Sequence, residues 1–211
     1  METVLLALSV TWALFSPAYL VYTNRGKLRF AGEVWKSIHR QSLLAGIGIA
    51  FGVLGSLQLL EQLFPILKWG WPNLVAERGS QIAIAPFAEG LKTQVPFLRL
   101  LLLFGFVLMT LAAPFLAKLE ETMYRAGCYE WNRLAGKSLI SGALLFPFGV
   151  SLAAIMSFTL LAFFFAYLHM RTRKDKNMTV IIINTVFKVV FFVFLTINSF
   201  LPDLLHFLGL S

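Results

Sequence analysis

At 211 residues, 58% hydrophobic and only 13% charged, with a mean hydropathy of +0.78, the chain excludes an ordinary soluble domain; such domains carry about twice that share of charge. The formal charge of +8 does not indicate nucleic-acid binding, because the basic residues sit in short loops between apolar runs rather than on one polar face. They report orientation and attraction to anionic lipid instead. The composition predicts an all-α polytopic membrane protein, a single integral domain over residues 1–211. Its single cysteine, Cys128, excludes an internal disulfide and reads as a free buried thiol. No Cys/His cluster has zinc-site spacing, so no metal or cofactor is expected. His39, His169 and His206 fall near the ends of expected spans and read as interfacial residues.

The first expected span covers residues 4–22, with Pro17 tolerated as a kink. It lacks a basic n-region and is long enough to span, so no cleavable signal is expected. The following loop carries Arg25, Lys27, Arg29, Lys36 and Arg40 against Glu33, which places it in the cytoplasm and the N-terminus outside. The second span, residues 43–67, contains Gly46, Gly48, Gly52 and Gly55. Gly48 and Gly52 form a small-xxx-small face that predicts close approach of another helix. Gln58, Glu61 and Gln62, towards its outer end, could line a cavity but are expected to hydrogen-bond water or a neighbouring helix. Residues 68–96 form a nearly charge-balanced outer loop with Trp69 and Trp71 as interfacial anchors. That loop is expected to lie on the membrane surface or to dock on a partner.

A third span, residues 97–117, returns the chain to the cytoplasmic side and runs into Lys118-Leu119-Glu120-Glu121-Thr122-Met123-Tyr124-Arg125. Carboxylates at a membrane edge are costly and mark a functional site by default. On a helix Glu121 and Arg125 share a face, with Lys118 on the same side, while Glu120 is turned about 100° away and is left unengaged by the local pair. With no strong breaker between Phe115 and Arg133, the helix is expected to continue through this stretch, and Glu130 with Arg133 to form another local pair.

The apolar block 138–170 is too long for one comfortable span, and the basic run Arg171-Thr172-Arg173-Lys174-Asp175-Lys176 that follows belongs on the cytoplasmic side. Two short helices are therefore expected, residues 138–148 and 153–170, turning near Pro147-Phe148-Gly149. The last span, residues 178–201, holds Asn184 and, one turn on, Lys188, about ten residues from either end. A lysine that deep needs a carboxylate or a wet cavity, and Glu120 is the most economical partner. The total is about six transmembrane or half-spanning helices.

Glu120-Glu121-Thr122-Met123-Tyr124-Arg125-Ala126-Gly127 resembles the EExxxR motif of the CPBP (CAAX protease and bacteriocin-processing, or Abi) family of intramembrane glutamic proteases. The residues from Leu139 to Phe146 are similar to the lead-in to that family's FxxxH motif, and those from Phe164 to Thr172 to the stretch before its last motif. The resemblance implies a CPBP-protease-like helical bundle, with 1–96 as lead-in spans and outer loop and 97–201 as the core. It also implies catalytic positions at Glu120, Glu121 and Arg125. In the family, a glutamate activates water against a peptide carbonyl while motif histidines orient the water or stabilise the oxyanion. Here the second motif reads Phe146 with Val150 in place of the histidine, and the last reads Asn184 and Lys188.

A divergent member of this kind is expected to be a catalytically inactive pseudoprotease. It would act as a scaffold, assembly or stabilising subunit for another integral membrane protein or complex, in a bacterial cytoplasmic membrane or a thylakoid. The alternative is an active endopeptidase in which Glu120 activates water and Asn184, Lys188 or His169 stabilises the oxyanion. A small transporter or channel subunit would also account for intramembrane charge, but no inverted repeat supports it.

Overall fold

The computed structural model describes residues 11, 15, 17–69, 96–128, 130–145, 150–172 and 178–207, with side chains at all of these except 96–102 and 198–207. Six helices organise the described chain: α1 (Leu28–Lys36), α2 (Arg40–Leu63), α3 (Pro96–Glu120), α4 (Trp131–Ala143), α5 (Leu152–Arg171) and α6 (Met178–Phe207). A further helical stretch at 17–23 precedes α1. Among the described residues, four segments are long and apolar enough to cross a membrane: Arg40–Leu63, Leu103–Arg125, Leu152–Arg171 and Met178–Ile197. The described protein is thus all-helical and has the character of a membrane protein. The expected first span at 4–22, the outer loop at 68–96 and the turn at Pro147 lie largely or wholly outside the described residues.

α6 is the central helix, packed most extensively against α3 and α2 and also touching α1 and α5. Its apolar face supplies Val180, Phe187 and Phe191, which meet Ala50 and Val53 of α2 and Phe165 of α5. Phe187 and Phe191 stack at 5.7 Å between ring centroids, and Phe158 meets Phe191 edge-on at 5.5 Å. Such offset and T-shaped pairs add directional preference to apolar burial. They fix the rotation of α6 and so direct its polar positions towards α3.

Local chemistry sets the helix ends. The His39 amide donates to Ser42 Oγ (3.0 Å) at the start of α2, satisfying a donor that the helix itself cannot. α2 stops at Leu63, short of the expected 67, because Pro65 opens a separate short turn, Pro65–Lys68. Ser151 caps α5 by accepting from the Ala154 amide and also donates to Glu61 Oε1 at 3.4 Å. Glu61 is thereby tied to a neighbouring helix, one of the two roles expected of it.

Three sequence expectations are refined or corrected. The helix continues through the Glu120-Glu121 stretch as expected, but with a change of pitch: α3 ends at Glu120, a π-helical turn carries the helix on over Glu121–Arg125, and Gly127 then adopts φ +70°. That left-handed conformation favours glycine and redirects the chain before α4. The first short helix of the 138–170 block begins earlier than expected, at Trp131, and closes at Ala143. At 13 residues it rises about 20 Å, less than a membrane core.

The third correction concerns the α2 glycines. A Cβ on Gly48 or Gly52 would meet nothing within 4 Å, whereas one on Gly46 would lie 2.4 Å from Val186 Cγ1. The close helix approach is therefore at Gly46, on the α6 side. Gly48 and Gly52 instead line an open apolar groove of about 530 Å³ between α2 and α5, with Ser157 among its lining residues. Gly46→Ala is expected to destabilise by about 1–3 kcal/mol through overpacking. Gly48→Ala should be neutral or stabilising, because alanine is the better helix former. Thermal unfolding of the two variants in detergent checks the contrast.

Candidate functional site

The two adjacent glutamates open onto different partners, as the rotation of about 100° between successive helical residues dictates, and the helix changes pitch between them. Glu120 is the last residue of α3, and Glu121 is the first of the π-helical turn, which is closed by the Ala126 amide donating to the Glu121 carbonyl at 2.8 Å. π turns are rare and concentrate at functional sites.

Glu121 points inward. Arg125 Nη1 donates to its Oε2 at 3.0 Å, and His169 Nδ1, from the last turn of α5, contacts its Oε1. The side chains of Glu121, Arg125 and His169 are only 3%, 4% and 4% exposed, so the three form a buried unit. The Arg125 guanidinium also lies 5.4 Å from the centroid of the Phe165 ring, a favourable cation–π distance. With both carboxylate oxygens engaged, the cluster braces the π turn against α5.

Glu120 faces α6. Lys188 Nζ lies 2.7 Å from its Oε1, and Asn184 Nδ2 donates to its Oε2 at 3.0 Å. Asn184 and Lys188 are one helical turn apart, so both reach the same carboxylate from one face of α6. The Lys188 side chain is 11% exposed and that of Glu120 38%, which makes this pair half-buried rather than sealed. Two buried polar atoms nearby, Asn184 Oδ1 and Arg125 Nε, have no hydrogen-bond partner.

The structure therefore brings Glu120, Asn184 and Lys188 together, and joins Glu121 to Arg125. Lys118, expected beside Glu121, instead places its ammonium 4.2 Å from the centroid of the Phe30 ring of α1. His169 is the residue that the interfacial reading missed: it is buried, not at a solvated span end. A signal was present, since His169 follows Ala162, Phe165 and Ala166 at helical spacing and all three are core residues.

Of the second-motif positions, Val150 does not join this site. Phe146 lies outside the described residues. Val150 packs with Leu57, Ala153 and Ala154 just before the start of α5. At 1.5 Å per residue, His169 lies roughly 25 Å further along that helix. Cys128 is a free thiol buried against Leu134 and Ala166, and Glu130 pairs with Arg133 at 3.0 Å on the surface. Among the described residues, no three His, Cys, Asp or Glu side chains are grouped to hold a metal ion.

A carboxylate held by an ammonium on one oxygen and an amide on the other is suited to bridging two helices. Its remaining lone pairs could accept a hydrogen bond from a third group arriving at the exposed side. Compared with protein-family models, curated proteins and solved structures, the chain matches none.

Proposed function

We propose that this chain is a pseudoprotease of CPBP-like architecture, a bundle of about six transmembrane or half-spanning helices. In this reading it serves as a scaffold, assembly or stabilising subunit for another integral membrane protein. The observation that carries the reading is the engagement of Glu120 by Lys188 and Asn184 at 2.7 and 3.0 Å. A water-activating glutamate needs a lone pair aimed at water and a neighbouring group to orient that water or take up charge. Here one oxygen is neutralised by a lysine, and the polar neighbour is an amide, which cannot shuttle a proton. His169, the buried histidine on α5, is committed to Glu121. The open groove at Gly48 and Gly52 leaves room beside α2 for a further helix, which suits a subunit role.

One observation favours the second reading, an active intramembrane endopeptidase: the 38% exposure of the Glu120 side chain leaves that carboxylate within reach of water. The two readings are separated by assaying purified wild type and Glu120→Ala against membrane-embedded peptide substrates. No cleavage above background is expected from either protein, and a stoichiometric partner is expected to co-purify from native membrane. Cleavage by the wild type that Glu120→Ala abolishes would overturn the pseudoprotease reading.

A further inference from the structure

Among the described residues, the strongest concentration of exposed charge lies away from Glu120, on α1 and the turns at its two ends. Arg25, Lys27, Arg29, Lys36 and Arg40 are all exposed. Glu33 is already committed to Arg29 at 3.2 Å, and among the described residues Lys27, Lys36 and Arg40 have no carboxylate partner.

The opposite face of α1 fixes where this charge sits. Ala31 and Val34 are buried, and Val34 packs with Ala117 of α3 and with Ile181 and Ile182 of α6, about one turn from the first residue of that helix. Arg40 itself opens a membrane-length apolar helix. α1 is thus fastened against two spans and runs directly into the start of a third, which by their length and composition puts it where an apolar interior would give way to headgroups. Leu28, 55% exposed, and half-buried Trp35 add the mixed apolar and aromatic surface that such a level accommodates.

We propose that α1 and its flanking turns form a docking surface for the phosphodiester headgroups of anionic lipids in the adjoining leaflet. Charge complementarity selects this occupant: the surface offers unpaired ammonium and guanidinium groups at a membrane edge, where the abundant anions are lipid phosphates. Because the apolar face of α1 is already covered by protein, the helix does not insert, and binding rests on charge. It therefore weakens with salt. The proposal is independent of the state of Glu120.

The test uses the purified full-length chain in neutral detergent, with phosphatidylglycerol or phosphatidylcholine added to the micelles and thermal unfolding as the readout. Phosphatidylglycerol at about tenfold over its dissociation constant is expected to raise the wild-type midpoint by roughly 3–6 °C at low salt. Phosphatidylcholine and inorganic phosphate should leave it unchanged, and high salt should erase the shift. Lys27→Gln/Lys36→Gln/Arg40→Gln should keep the wild-type midpoint in neutral detergent and lose most of the shift. Lys27→Arg/Lys36→Arg, which retains the charge, should keep it. A triple variant that still responds like wild type would refute the proposal. So would a wild type indifferent to phosphatidylglycerol, as expected if an acidic protein were the true partner, or one shifted equally by inorganic phosphate.

Discussion

Lys188→Met is expected to lower the stability of the detergent-solubilised protein, and adding Glu120→Gln is expected to restore much of the loss. Lys188 contributes the cation and Asn184 the amide to a carboxylate that ends α3, so the pair fastens α3 to α6 at the most extensive helix contact among the described residues. Removing the lysine leaves a carboxylate facing an amide and apolar side chains. Breaking a fully buried pair costs about 3–5 kcal/mol. The 38% exposure of the Glu120 side chain lets solvent screen the stranded charge, so a loss of about 1–3 kcal/mol is expected.

Glu120→Gln alone should be milder. The amide still offers an oxygen to Lys188, and once the Asn184 side chain turns over, its NH2 can donate to Asn184 Oδ1, which lacks a partner in the wild type. In the double variant no charge is left unpaired. A coupling of about 0.5–3 kcal/mol is therefore expected between the two sites. Thermal unfolding of the four proteins measures it, and strictly additive losses would show that the ion pair does not hold the helices together.

This pair was legible in the sequence because its logic is local to the membrane. A lysine about ten residues from either end of an apolar run must find a carboxylate or water, and few carboxylates were available. The four apolar membrane-length segments were legible for the same reason: composition alone specifies them.

The π turn was not. The residues from Phe115 to Ala126 hold no strong breaker, and the change of pitch coincides with the contact of Glu121 with His169 of α5, a tertiary partner that the local sequence does not reveal. The glycine face was misread because small residues permit close approach without dictating which of them is used. Gly46 and Gly48 differ only by their position around α2, and that rotation depends on where Phe187 and Phe191 pack. His169 stands both in the last turn of a span and at helical spacing from buried Phe165 and Ala166, and only the packing of α5 against Glu121 decides that it is buried.

The largest single loss is expected at Glu121. Glu121→Leu would strand Arg125 and His169, each with a side chain only 4% exposed, and leave the guanidinium little besides its contact with Phe165. The expected cost is about 3–5 kcal/mol. Glu121→Gln, which keeps the shape and one acceptor, should cost less. Replacing all three polar residues by apolar ones of similar size should recover much of the loss, since desolvation of a buried charged cluster offsets most of what its internal attraction contributes.

The order of these variants in thermal unfolding is the check, and a Glu121→Leu protein within about 0.5 kcal/mol of wild type would mean that the cluster is not a buried unit. The brace also has a consequence for its neighbour. Glu120 reaches Lys188 from the residue that precedes the π turn, so loosening that turn should let the carboxylate swing. The Glu120–Lys188 coupling measured in a Glu121→Gln background is accordingly expected to fall below its wild-type value. An unchanged coupling would show that α3 alone orients Glu120 and that the Glu121 cluster serves stability only.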